Sequence, residues 1–203
     1  GVAALHTELI TKELMPDFYE LWPERFNNKT NGVTPRRWML QANPALSALI
    51  TDRIGRGWID DTMRQISRLR DFADDVATLD EIWRIKQANK EKLSMLIGDK
   101  AGTYVSPNSV FVVHVKRIHE YKRQLMAILQ IIALYTKLRS EPEAEFTPRT
   151  YIFAGKAAAG YAMAKLHIKL INSIADVINF DPLVKNRIKV AFIPNYSVSL
   201  AEV

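Results

Sequence analysis

The side chains best able to do chemistry in this 203-residue chain lie in one run, Lys116-Arg117-Ile118-His119-Glu120-Tyr121-Lys122-Arg123. Five of its eight residues are cations or can become cations. Arginine offers a planar, two-pronged donor and lysine a compact point charge, a donor set suited to phosphate. Two shorter segments, Gly155-Lys156-Ala157 and Pro194-Asn195-Tyr196, could join them if the fold brings the three together.

The elements that must position these residues are legible in the hydrophobic pattern. Residues 110–115 (Val-Phe-Val-Val-His-Val) are short, apolar and rich in β-branched residues, which predicts a strand covered on both faces. Tyr151-Ile-Phe-Ala and Ile188-Lys-Val-Ala-Phe-Ile read as two more strands. Leu125, Ile128, Leu129, Ile132 and Leu138 mark a helix between the first pair, and a second helix runs from about Tyr161 to Ile178. The β-α-β-α-β order predicts a doubly wound α/β unit with parallel strands. Each of the three candidate segments then follows directly on a strand, at the end of a parallel sheet where ligands bind.

Upstream the pattern is helical. Leu5, Leu9 and Ile10 have helical spacing over residues 1–22, with Pro16 interrupting, and the polar loop 27–32 is a candidate boundary. Asn43-Pro44 signals a helix start, with Leu46, Leu49, Ile50 and Ile54 as its stripe and Gly55 as its end. Residues 60–72 form a further amphipathic segment. Thr78 and Glu81 have capping-box spacing and predict a helix that turns Ile82, Ile85, Leu93 and Leu96 inward.

Cations at the start of a helix oppose its dipole and repel one another. A bound anion resolves both conflicts, since it meets the cations and the free N–H groups of the helix start together. The plainer reading, a solvated basic helix face, stands beside it. Nucleic acid is a rival anion, but its readers carry broad basic stripes with exposed aromatics, whereas this cluster is compact. Gly155-Lys156-Ala157 lacks the upstream glycine and following Ser/Thr of a Walker A loop, and no Gly-x-Gly-x-x-Gly follows a strand. His6, His114, His119 and His167 lack metal-ligand spacing, and His114, inside a strand, reads as a satisfied buried residue. Thr34-Pro35-Arg36-Arg37-Trp38 reads as a surface loop, with a site wall as the alternative.

Composition sets the frame. A hydrophobic share of 48% and a charged share of 25% are those of a globular protein, and the net charge of +6 suits an anionic partner. No apolar run approaches the roughly 18 residues that span a bilayer. The absence of cysteine excludes disulfides and thiolate metal sites and suits a reducing compartment. Gly1 and the tail-less Val203 read as cuts within a longer protein.

Four long strings, in order, give the chain a family resemblance. They are Asn28 through Trp38 (Asn-Lys-Thr-Asn-Gly-Val-Thr-Pro-Arg-Arg-Trp), Val115 through Leu125, Gly155-Lys156-Ala157-Ala158 with Tyr161-x-Met163-Ala164-Lys165, and Asn195 through Glu202. With the opening Gly1-Val-Ala-x-Leu-His-Thr-Glu, they resemble the α-glucan (glycogen, starch or maltodextrin) phosphorylases over essentially the whole chain. The resemblance implies a GT-B fold, a cleft between two Rossmann-like domains, with residues 1–29 ending the N-terminal domain and 30–203 beginning the C-terminal, cofactor-binding one. It implies a cytoplasmic, homodimeric enzyme of an allosteric family, acting on an α-1,4-glucan and inorganic phosphate to give α-glucose 1-phosphate with retained configuration. No nucleic acid or membrane partner is expected.

The implied cofactor is pyridoxal 5'-phosphate, whose phosphate acts as proton donor and acceptor. The resemblance gives Lys116 the cofactor phosphate, Arg117 and Lys122 the substrate phosphate, Tyr121 and Asn31 the glucose hydroxyls, and Trp38 and Tyr196 the cofactor pocket wall. Lys116, Arg117 and Lys122 are thus the expected catalytic groups, and no metal is expected. Ser197, Ala154 and Val112 depart from residues common in the family, and the first puts a cofactor contact in doubt. The Schiff-base lysine is expected beyond Val203, so the piece alone should be inactive. A non-catalytic GT-B half-domain or anion-binding module is the alternative.

Overall fold

A computed structural model describes residues 1–30, 32, 34–184 and 187–203. They fall into two compact units, residues 1–69 and 70–203.

The first unit is helical. α1 (Ala4–Leu9) runs into a π-helical turn, Ile10–Leu14, and α2 (Pro16–Leu21) begins with Pro16 at its first turn. Proline has no N–H to lose there, so the predicted interruption is a restart. The predicted surface loop around Arg36 is instead a π-helical turn, Arg36–Gln41. α3 (Pro44–Ile54) has the predicted caps: Asn43 accepts from the Leu46 N–H, and Gly55 ends the helix at φ 79°. Leu49, Ile50 and Ile54 are buried, as is Trp58 just beyond. The amphipathic segment 60–72 is a short α4 (Thr62–Gln65) followed by a 3₁₀ stretch, Ile66–Phe72.

The second unit is a three-layer α/β sandwich. α5 (Val76–Ala101) starts two residues before the predicted box, because Asp75, not Thr78, is the N-cap. The Asp75 carboxylate accepts from the Thr78 N–H at 3.0 Å and also takes the Thr78 hydroxyl. An anionic acceptor at a helix start outcompetes a hydroxyl. Gly102, at φ 63°, ends the helix. Ile85 is buried as expected, but Ile82 is exposed.

Strands β1 (Val110–Val115), β2 (Arg149–Ala154) and β3 (Ile188–Ile193) are parallel and in the order β1-β2-β3. Between them run α6 (Gln124–Ser140) and α7 (Ala162–Phe180), the crossovers that parallel pairing requires. On one face Ile128, Ile131 and Leu138 of α6 and Ile171 and Ile178 of α7 pack on Tyr151, Phe153 and Val190. On the other, Ile97 of α5 and Leu200 of α8 (Val198–Ala201) cover Ile152, Ala154, Ala191 and Ile193. β2 is central and buried nearly throughout. β1 is an edge strand, so Val110 and Val113 are about half exposed and the expectation of two covered faces fails there. An apolar run reports burial propensity, not place in the sheet.

Candidate active site

The register brings all three strands to the same level: Val115 pairs with Ala154, and Ala154 with Ile193. The three segments singled out by sequence therefore leave one edge of the sheet side by side. The first two are tied together beyond it. Lys116 N–H donates to Ala154 O at 3.0 Å and Ile118 N–H to Lys156 O at 3.2 Å, which prolongs the ladder into the turns. Gly155 allows this approach. A Cβ on it would stand 2.0 Å from Lys116 O, at a φ of 155° that side chains rarely adopt. Lys116 and Lys156 are thus on neighbouring, hydrogen-bonded strands of backbone.

The turn after β1 is held from below. Ile118 is 2% exposed and plugs the core, while the charged residues around it stay at the surface. Gln124, 1% exposed at the first turn of α6, bridges the turn with its carboxamide. Its Nε2 donates to Arg117 O at 3.1 Å, and its Oε1 accepts from His119 N–H at 3.1 Å. Arg123, left-handed at φ 59°, enters α6 without a side-chain cap, so the helix start presents free N–H groups. Residues 120–122 form a 3₁₀ turn, with Lys122 Nζ 5.6 Å from the centre of the Tyr121 ring. The His119 ring lies 4.3 Å from that of Tyr121 and 5.0 Å from that of Tyr161.

Among the described residues no carboxylate comes within ion-pair distance of Lys116, Arg117, Lys122 or Lys156. Glu120, in the middle of the turn, instead accepts from the Tyr161 hydroxyl at 2.5 Å. The result is a set of uncompensated cations at the carboxyl end of a parallel sheet, beside a helix start. This arrangement attracts phosphate oxygens and stabilises negative charge that develops on them. Among the described residues no His/Asp/Glu group could hold a metal ion.

The other sequence candidates are placed as follows. Tyr196, after β3, is half-buried against the α5 side of the sheet and lines an apolar cavity of about 320 Å³ with Val115, Ala154 and Leu200. Ser197 caps α8, accepting from Leu200 N–H at 3.3 Å. Trp38 belongs to the first unit, half-buried with the Arg37 guanidinium 5.9 Å from its ring. Asn31 lies outside the described residues. His114 is a correction: it is half-buried against Phe153, 5.3 Å between rings, and its Nδ1 finds no partner among the described residues. Burial, and next to it the Lys116 charge, hold its pKa below the ordinary 6.5. Sequence reasoning missed Gln124 and the partnership of Glu120 with Tyr161. A polar residue at the buried first turn of an otherwise apolar helix was the available signal for Gln124.

Known proteins resemble the chain along its whole length. The family model for carbohydrate phosphorylases matches residues 1–203. The chain is 50% identical over 202 residues to a glycogen phosphorylase of Synechocystis sp. and to the brain-form glycogen phosphorylase of Mus musculus. It is 49% identical to the muscle form from Mus musculus. Each alignment covers 100% of this chain and 24% of the relative, so the chain spans about a quarter of their length. With a whole-length family match and half the residues shared with such relatives, the chain belongs to the carbohydrate phosphorylase family.

Proposed function

We propose that the full-length protein containing this chain is an α-glucan phosphorylase of the GT-B fold. It cleaves the terminal α-1,4-linked glucose of a glucan with inorganic phosphate and releases α-glucose 1-phosphate with retained configuration. The observation that carries this reading is the set of Lys116, Arg117 and Lys122 after β1, which meets no carboxylate among the described residues. The relatives' names, glycogen phosphorylase, support it. Residues 1–29 then end one domain and 30–203 begin the next. The protein is proposed to be a cytoplasmic homodimer, and the chain alone to be inactive.

In this reading Arg117 grips two oxygens of the substrate phosphate with its guanidinium fork, and Lys122 neutralises a third. Lys116, on the same turn, holds the phosphate of pyridoxal 5'-phosphate. The donor set fits that group, since several lysine and arginine cations without carboxylate partners suit a phosphate monoester better than a neutral ligand. When bound, the cofactor supplies a phosphate able to exchange a proton with the substrate phosphate. The chain's own work is electrostatic. Two phosphates of like charge approach only where fixed cations offset their repulsion, and the same cations stabilise charge as the glycosidic bond breaks. Tyr121 and Asn31 hydrogen-bond glucose hydroxyls, and Trp38 and Tyr196 line the cofactor pocket.

Glucose 1-phosphate release from maltoheptaose and phosphate, by the cofactor-loaded full-length protein, tests this. Activity in the wild type, and a loss of roughly two orders of magnitude or more in Arg117→Ala, is the expected result. Activity that survives Arg117→Ala removes that residue from the phosphate site. A well-folded, cofactor-loaded protein with no activity is instead a non-catalytic, anion-binding relative.

A further inference from the structure

Glu120 is the one carboxylate in the cationic run 116–123. It opens a short 3₁₀ turn, two residues before Lys122 and three after Arg117. A flexible acidic side chain so placed would ordinarily fold onto one of those cations. It does not: among the described residues no cation is within ion-pair distance of it. Its Oε2 accepts from the Tyr161 hydroxyl at 2.5 Å, and its N–H approaches the same hydroxyl oxygen at 3.4 Å. Tyr161 is itself fixed. It is the N-cap residue of α7, its N–H donates to Ala158 O at 3.0 Å, and its ring meets the edge of His119.

We propose that Tyr161 is a positioning residue that acts through Glu120: it holds the carboxylate away from Arg117 and Lys122 and so keeps both cations free for phosphate. The inference rests on reading the turn as a phosphate site. The carboxylate and the substrate phosphate compete for the same donors, so the strength of the Tyr161 bond sets how much phosphate binding costs. The bond holds the Tyr161 hydroxyl above its ordinary pKa of 10.0, so it remains a donor throughout the physiological range. A carboxylate is needed for the competition, whereas a neutral carboxamide at the same position would be harmless. This separates sequestering an acid from simply tying the turn to α7.

The test is a double-mutant cycle in the cofactor-loaded full-length protein, with Tyr161→Phe, Glu120→Gln and the two combined. Two quantities are read for each: KM for inorganic phosphate against kcat, and the rise in melting temperature that inorganic phosphate produces. Tyr161→Phe is expected to raise the phosphate KM about two- to fivefold, the scale of a partly exposed ion pair, with little change in kcat. It should shrink the phosphate-induced rise in melting temperature as well. Glu120→Gln should stay near wild type, and the double variant should return to it. A double variant as impaired as Tyr161→Phe makes the bond a structural tie and overturns the proposal, as does a Tyr161→Phe variant indistinguishable from wild type. A wild type that phosphate neither stabilises nor turns over removes the phosphate reading itself, and the role of Tyr161 with it.

Discussion

The two edges of the sheet are finished differently. On the β3 side the Asn179 carboxamide stands where a neighbouring strand would. Its Nδ2 donates to Val190 O at 2.8 Å, its Oδ1 accepts from Val190 N–H at 3.0 Å, and Lys189 Nζ reaches Asn179 O at 2.8 Å. On the β1 side no side chain does this among the described residues, and Val113 and Val115 open onto the apolar cavity of about 320 Å³. Yet β1 is the strand whose exit carries the cations that meet no carboxylate among the described residues. The difference teaches where this fold places its costs. Within these residues the edge that side chains seal and the edge whose strand leads into the cationic turn are therefore different ones.

The largest expected effect comes from breaking the joint between the β1 and β2 exits. Gly155→Ala puts a methyl group into the Lys116 carbonyl, 2.0 Å away and on backbone that cannot swing aside. The two turns must part, and the Lys116–Ala154 and Ile118–Lys156 bonds go with them. The expected destabilisation is about 3 kcal/mol or more, read from denaturant midpoints. Phosphate-dependent stabilisation should disappear at the same time, because Lys116 and Lys156 would no longer share one rim. A variant of unchanged stability would mean that the turns are not locked at this point.

A smaller effect is expected at the sealed edge. Asn179→Ala leaves the Val190 N–H and C=O without the partners that satisfy them. The cost of such unmade bonds is about 1–3 kcal/mol. Amide exchange at Val190 should speed up while exchange at the β1–β2 ladder keeps its pace. Equal acceleration at both would show that the edges are not independent.

How far the sequence shows this depends on what each feature rests on. Parallel strands, crossover helices and the grouping of Lys116, Arg117, Tyr121, Lys122 and Lys156 follow from local periodicity, because a strand's end dictates where the next residues go. The same information does not say which strand lies at an edge, so β1 looked buried and Val113 is not. Nor does it rank competing acceptors: Asp75 and Thr78 are both good caps, and the structure chooses the charged one. Gln124, Asn179 and the Glu120–Tyr161 pair act across 5 to 41 residues of sequence, where no local pattern records the partner. Asn31, proposed for the site, lies outside the described residues, and Trp38 belongs to the other compact unit.

Acid should loosen the open β1 edge and the α6–α7 contact at different pH, the smallest of these effects. His114 on β1 is held below its ordinary pKa of 6.5, first by burial and then by Lys116. The unfolded chain therefore takes up that proton more readily than the folded one, and stability falls as pH drops below 6.5 toward the lower folded value. Asp181, which ends α7 and bonds to α6, is held below 3.8. The Tyr135 hydroxyl, donating at 2.7 Å, is the chief cause, followed by the Leu183 N–H and then Arg139. Its contribution is intact above 3.8 and is lost only as pH falls through the still lower folded value. Melting temperature against pH should then show two separate slopes. His114→Phe should flatten the one that begins near 6.5, and Asp181→Asn the one below 3.8. If His114→Phe leaves the upper slope in place, the acid-sensitive group is not on β1.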